Sequence, residues 1–302
     1  MKPQKKSYIT DIMALESMTR MLQQARANAY AVGAFNILDY NTMKAVVDAA
    51  TELRAPVIVQ TSVKTVKHWG FRTMVTWIRE LCEDVAVPVA IHLDHCKDVG
   101  FVGQCIDAGW TSVMIDASSL PFEENLVASS KVLEMARPKG ISVEAELGEI
   151  GGVEDDISIS DDDAHLVDVE KALRFLKEVP VDCFAPAIGT AHGVYKGKPN
   201  IAFDRLRAIS GSSTVPLALH GGTGLSEEVF KKCIRYGCAK VNISTQLKYA
   251  FINGFVQYHE QHPEEYNPLK ELASQYENVK EAVISNIRLF GSENMGLSTA
   301  KS

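Results

Sequence analysis

Short, nearly continuous apolar runs alternate along this chain with stretches whose apolar positions recur at helical spacing. Runs bounded by turn residues predict eight strands. They are Ala31–Asn36, Pro56–Thr61, Pro88–Asp94, Ser112–Ala117, Ser142–Leu147, Cys183–Gly189, Pro216–His220 and Lys240–Ser244. The intervening segments read as helices: NTMKAVVDAATELR with Asn41 as its cap, FRTMVTWIRELCED, FVGQCIDAG, NLVASSKVLEMARPKG, DVEKALRFLKEV, FDRLRAIS and SEEVFKKCIRYG. Several end in glycine, the usual stop signal. Strands that are apolar on both faces belong to a parallel sheet covered by helices. Eight of them predict an α/β fold, a TIM (β/α)8 barrel, over an open doubly wound sheet. No GxGxxG follows the first strand, which disfavours the dinucleotide-binding version further.

Two segments exceed that minimal pattern. GEIGGVEDDISISDDDAH, after the fifth strand, is glycine-rich and acidic, and predicts a mobile loop at the barrel mouth. Residues 246–302 carry further amphipathic helical patterns, expected to make oligomer contacts in a homodimer or homotetramer. Residues 1–14 read as an N-terminal extension, and 1–302 as a single barrel domain. A barrel needs about 250 residues, so the 302 present suffice.

Composition narrows the function classes. Hydrophobic residues make up 46% and charged ones 23%, enough for a substantial core. A net charge of −7 argues against nucleic-acid and anionic-membrane partners. The six cysteines lack CxxC spacing and read as free thiols. Cys96 follows His95, but strand alternation points it the other way. No stretch approaches the roughly 20 apolar residues of a membrane span, and the basic start lacks the apolar core of a signal peptide. A cytoplasmic protein is expected.

The chemistry gathers at strand ends. His95, His192 and His220 each follow an apolar run, in PVAIHLDHC, CFAPAIGTAHG and PLALHGGTG. In parallel neighbouring strands they converge at the carboxyl edge, where three imidazoles hold zinc and leave one position open. Asp94 precedes His95. A bend at the strand end would turn both to the mouth, where Asp94 either moves a substrate proton or orients an imidazole. Glu144 and Glu146 share one face of the fifth strand. Buried there, they need a second cation or a hydrogen bond to a ligand histidine. Glu154 in the acidic loop is placed to act as a base once water is excluded, or is simply solvated. The turns GTAHGVYKG, HGGTGLS and NISTQLK offer Gly193, Lys196, Gly221, Gly222, Thr223, Asn242, Ser244 and Thr245 to an anion.

Taken in order, AFN, HLDH, SVMIDAS, VEAELGEIGGVEDD, GTAHGVYKG, LHGGTG and NIST resemble the class II, zinc-dependent ketose-bisphosphate aldolases, from about Met18 to Phe290. HLDH, IGTAHG and T-x-L-K are closest to the tagatose-bisphosphate type. The resemblance implies reversible cleavage of a ketose (bis)phosphate to dihydroxyacetone phosphate and an aldehyde, through a zinc-stabilised enediolate. It makes His95, His192 and His220 the Zn2+ ligands, with Glu146 an alternate or second metal site. Asp94 becomes the group exchanging the C4 hydroxyl proton, and Glu154 the group exchanging the C3 proton. The eight turn residues fall on the pocket for triose and phosphate, with Na+ or K+ near it. Ser244 stands where fructose-bisphosphate members often carry an acid, which points away from fructose 1,6-bisphosphate as principal substrate. Lys248 and Arg288 either reach the substrate's far end or are surface charges. A Schiff-base lysine is the rival chemistry, but Lys240 opens the last predicted strand, at the wrong end. Two other readings remain: a metal-dependent barrel hydrolase, and a non-catalytic barrel partner of an aldolase.

Overall fold

The computed structural model describes residues 14–154, 157–159, 166–193 and 199–296. Helix α1 (Met18–Ala27) leads into β1 (Val32–Asn36), α2 (Tyr40–Glu52), β2 (Val57–Ser62), α3 (Val63–Trp69), α4 (Phe71–Leu81) and β3 (Val89–Cys96). Next come α5 (Val99–Ala108), β4 (Ser112–Ile115), α6 (Phe122–Ala136), β5 (Ser142–Leu147), β6 (Gly151–Glu154) and β7 (Ile157–Ile159). They are followed by α7 (Val169–Glu178), β8 (Cys183–Pro186), β9 (Ala191–His192), α8 (Phe203–Ser212) and β10 (Leu217–Leu219). The order ends with α9 (Glu227–Arg235), β11 (Cys238–Ile243), α10 (Thr245–Gln261) and α11 (Pro268–Leu289).

Strands β1, β2, β3, β4, β5, β8, β10 and β11 pair in parallel into a closed barrel, β11 returning to β1. Each predicted apolar run forms one of them, so the barrel expectation holds. Alternation along each strand divides its residues between helices and axis. Val57, Val59, Ile91, Leu93, Val113, Ile115, Val143 and Val241 pack outward in the main core with the helices. On the inner side Val32, Ala34, Ile58, Ala90, Ala185 and Ala218 meet Met18, Met21, Leu22 and Ala25 of α1. Helix α1 therefore plugs the amino end, each large side chain contributing about 1.5–3 kcal/mol by burial. Arg26 fastens it by donating to the carbonyls of Ser210, Ser213 and Val215. The small alanines leave axial room for Gln60, His92, Glu144 and Lys240, all fully buried.

Several local expectations change. Asn41 does not cap α2. Asp39 does, accepting from the Thr42 amide in a reciprocal capping box, while Asn41 donates to the Leu272 carbonyl of α11. Asp39 wins because the helix begins at Tyr40, so Asn41 already lies inside it. The acidic segment is not wholly a loop. Its described residues form an antiparallel β6–β7 pair, and β6 runs parallel to β9. The alternation of Ile157 and Ile159 in ISI was the signal for it, hidden among acids and glycines. Lys240 does not open its strand, because β11 extends back to Cys238 beside the Gly237 turn. Ala14, at the end of the predicted extension, is buried and its carbonyl accepts from Val89 N.

Helices α10 and α11 pack closely; a Cβ on Gly254 would stand 2.7 Å from Gln275 Cα. Helix α11 buries Val279, Val283 and Ile287. Helix α10 buries only Leu247 and Gly254, leaving Tyr249, Ile252, Phe255 and Val256 exposed. Among the described residues no helix is long and apolar enough to cross a membrane.

Candidate active site

His95, His192 and His220 come together at the carboxyl end of the barrel, their ligand nitrogens all within 4.8 Å of one another. Each arrives by a different device. His95 has φ +44°, a left-handed conformation costing a non-glycine residue about 1–3 kcal/mol. There β3 runs from Leu93 to Cys96 while its partner runs only from Val113 to Ile115, one residue fewer. That bulge is the anticipated bend: Asp94 and His95 both face the mouth, and Cys96 turns into the outer core. His192 is carried not by a barrel strand but by β9, which pairs with Gly152 of β6. A Cβ on Gly152 would lie 2.1 Å from the His192 carbonyl, and its φ is +95°, so only glycine permits this approach. His220 directly follows β10.

Carboxylates fix the imidazoles. His95 Nδ1 lies 3.0 Å from Asp116 Oδ2, and Asp116 is itself held by the Ser118 amide and hydroxyl. His220 Nε2 lies 2.7 Å from Glu144 Oε1. The opposite nitrogens, His95 Nε2 and His220 Nδ1, face each other at 2.9 Å. One nitrogen on a carboxylate and the other toward a shared centre is how metal-binding histidines are oriented. The buried Glu146 Oε2 makes no hydrogen bond among the described residues, though it lies 3.6 Å from His220 Nδ1 and 3.8 Å from His95 Nδ1. A cation would satisfy it, and His95, Asp116 and Glu146 form a second compact group of donors.

Electrostatics suits the same purpose. Burial, then the neighbouring His95, pushes His192 down to about 3. The same two causes, with Lys240, hold His220 well below the ordinary imidazole range. Both therefore keep a lone pair at neutral pH. Burial opposes charge on His95 too, but Asp94, Asp116 and Glu146 outweigh it and raise its pKa. Burial and the Asp116 charge raise Glu146. A cluster this rich in carboxylate binds a positive charge, proton or metal.

Among the described residues Asp94 hydrogen-bonds to no imidazole: its Oδ1 is 4.0 Å from His95 Nε2, near enough to favour charge on that ring but too far for a hydrogen bond. Amides hold it instead, with Gln60 Nε2 at 2.8 Å, Asn36 Nδ2 at 3.2 Å and Asn242 Nδ2 at 3.4 Å. The orienting work falls to Asp116 and Glu144. Beside the histidines, Gly193, Gly221, Gly222, Thr223, Asn242, Ser244 and Thr245 line one cleft with His192. Gly221 has φ +66°, and a Cβ there would sit 2.5 Å from the Ala191 carbonyl. Ser244 Oγ is buried without a hydrogen-bond partner among the described residues. It stands at the amino end of α10, where unpaired amides favour an anion. Glu154 ends β6 opposite Ile157. Lys196 lies outside the described residues. Arg288 is exposed and lies 3.6 Å from Glu293.

Asn36, Gln60, His92, Asp116 and Lys240 were not read as site residues. The available signal was period two: His92 with Asp94 and Lys240 with Asn242, polar pairs two apart within apolar runs.

The profile of the family described as "Fructose-bisphosphate aldolase class-II" matches residues 16–295. The chain belongs to the class II fructose-bisphosphate aldolase family. It is 42% identical to a probable fructose-bisphosphate aldolase of Bacillus subtilis (strain 168), covering 93% of this chain and 99% of that one. It is 41% identical to a sulfofructosephosphate aldolase of Alkalicoccus urumqiensis, covering 93% and 98%. The crystal structure of the YdjI aldolase from Escherichia coli K12 superposes with a TM-score of 0.82 at 29% identity, covering 93% and 99%. Class II aldolases are metal-dependent carbon–carbon lyases, and the donor clusters described above are of the kind such an enzyme requires.

Proposed function

We propose that this aldolase holds zinc on His95, His192 and His220 and cleaves a ketose 1-phosphate whose far end is also anionic. The observation that carries the reading is the convergence of three imidazoles, two of them oriented by carboxylates, beside an amide-held Asp94 and an anion-ready cleft. Bound there, zinc supplies a Lewis acid for the negative charge that builds beside the ketone. Asp94 takes the proton of the C4 hydroxyl as the C3–C4 bond breaks. The C4 carbon leaves as an aldehyde, and the bond's electron pair stays on C3. Glu154 delivers a proton to C3, giving dihydroxyacetone phosphate. Gly193, Lys196, Gly221, Gly222, Thr223, Asn242, Ser244 and Thr245 bind the triose and its phosphate, and Na+ or K+ neutralises the same corner. Glu146 is an alternate or second position for the metal. Lys240 is no Schiff-base candidate, since its ammonium is fully buried between Glu144 and Asn242.

The small Ser244 favours a tagatose-type substrate over fructose 1,6-bisphosphate, and the sulfofructosephosphate relative widens the range. Fructose 1,6-bisphosphate, tagatose 1,6-bisphosphate and a sulfofructose phosphate should be compared by triose phosphate release. At least one of the latter two is expected to exceed fructose 1,6-bisphosphate in kcat/KM. A clear preference for fructose 1,6-bisphosphate contradicts the substrate assignment; no release from any contradicts the function.

The exposed Tyr249, Ile252, Phe255 and Val256 supply the oligomer contact, a second copy of this chain seated on α10. Ile252→Asp with Phe255→Asp is expected to shift sedimentation from a dimer or tetramer to a smaller species. An unchanged sedimentation coefficient rules that face out.

A further inference from the structure

Lys240 occupies the barrel axis with no exposed surface, one layer below the histidines. Its ammonium donates to Asn242 Oδ1 at 2.6 Å and lies 3.0 Å from Glu144 Oε2. Each partner leads to a different part of the site. Asn242 Nδ2 faces Asp94 Oδ1 at 3.4 Å. Glu144 Oε1 lies 2.7 Å from His220 Nε2, leaving Nδ1 toward the shared metal position.

An ammonium carries three donors and no acceptor. Turning the Asn242 amide over would set its NH2 against Lys240 and its oxygen against the Asp94 carboxylate, so the charge dictates which way the amide points. The same charge balances Glu144, whose burial without a cation would be costly. Simple filling of the axis would be met by an apolar side chain, as Ala34, Ala90 and Ala218 show nearby. We propose that Lys240 is a positioning residue that sets Asp94 through Asn242 and His220 through Glu144, so that proton transfer and metal ligation share one buried anchor. The effect on Asp94 rests on the aldolase reading; the effect on metal affinity does not.

Lys240→Met keeps length and removes the charge. Zinc affinity, read by competition with a chromophoric chelator, is expected to weaken about 10- to 100-fold, as for other groups supporting a ligand. With zinc saturating, kcat for ketose phosphate cleavage is expected to fall about 10-fold. That fall should vanish in an Asp94→Asn background, because coupled residues are non-additive. Independent, multiplying losses with unchanged zinc affinity would show a merely structural lysine and overturn the assignment. Lys240→Met/Glu144→Gln guards against misfolding, since it removes the uncompensated carboxylate while keeping an acceptor for His220. This double variant should fold and retain both the weakened zinc affinity and the loss in kcat. A return of kcat to the parent value would overturn the link to Asp94. If the parent enzyme cleaves no ketose phosphate, the function fails, and zinc affinity alone then decides the link to His220.

Discussion

Asp94→Ala is expected to lower kcat for ketose phosphate cleavage by about 10²- to 10⁴-fold, the usual contribution of a positioned proton-transfer group. That corresponds to about 3–5 kcal/mol of barrier. Zinc content and dihydroxyacetone phosphate binding should stay near the parent values, because among the described residues Asp94 hydrogen-bonds to no imidazole, its Oδ1 lying 4.0 Å from His95 Nε2. Alanine strands the amides of Gln60, Asn36 and Asn242, which now donate to the carboxylate. Asp94→Asn fills the space without the base and should show the same loss. Steady-state kinetics with metal analysis on both variants checks this. Turnover near that of the parent enzyme would remove Asp94 from the chemistry.

His220→Ala is expected to abolish both metal retention and turnover. His220 Nδ1 faces His95 Nε2 at 2.9 Å, so its loss leaves two of the three imidazoles. The substitution also strips Glu144 Oε1 of its closest partner in the barrel interior. A buried acceptor losing its donor costs about 1–3 kcal/mol, so thermal unfolding should shift downward. Elemental analysis after dialysis should find well under one zinc per chain. Glu146→Gln is the contrasting case: if Glu146 serves an alternate position, that variant keeps zinc and loses only part of its turnover. Full metal retention by His220→Ala would sink the ligand assignment.

The eight barrel strands were legible because parallel strands buried on both faces read as unbroken apolar runs. The same property hid the axial residues. When both faces of a strand are apolar, nothing in composition says which positions meet helices and which meet the axis. Gln60 and His92 therefore passed as incidental polar residues and Lys240 only as a misplaced Schiff-base lysine, although His92 and Lys240 lie two positions from Asp94 and Asn242. Asp116 was inside a quoted motif, SVMIDAS, yet its bond to His95 depends on β3 and β4 being neighbours with a one-residue bulge between them. No local pattern announces a bulge. His192 was found by its GTAHG context, but its support by β6 was not. That pairing joins segments some 40 residues apart, and the glycines permitting it looked like loop composition. Asn41 failed as a cap for a smaller reason: Asp39, two residues earlier, competes for the same turn with a charged acceptor.

Aldol cleavage is expected to depend on a metal held by the three-histidine cluster. The most direct test strips the protein with a chelator, titrates zinc back, and follows dihydroxyacetone phosphate release at each addition. Release should fall to background on stripping and rise linearly to a break at about one zinc per chain, the stoichiometry of a three-histidine site with one open position. Borohydride added with substrate should leave the reloaded enzyme active. Cleavage that survives stripping and is lost to borohydride would contradict the account and point to an imine-forming lysine instead.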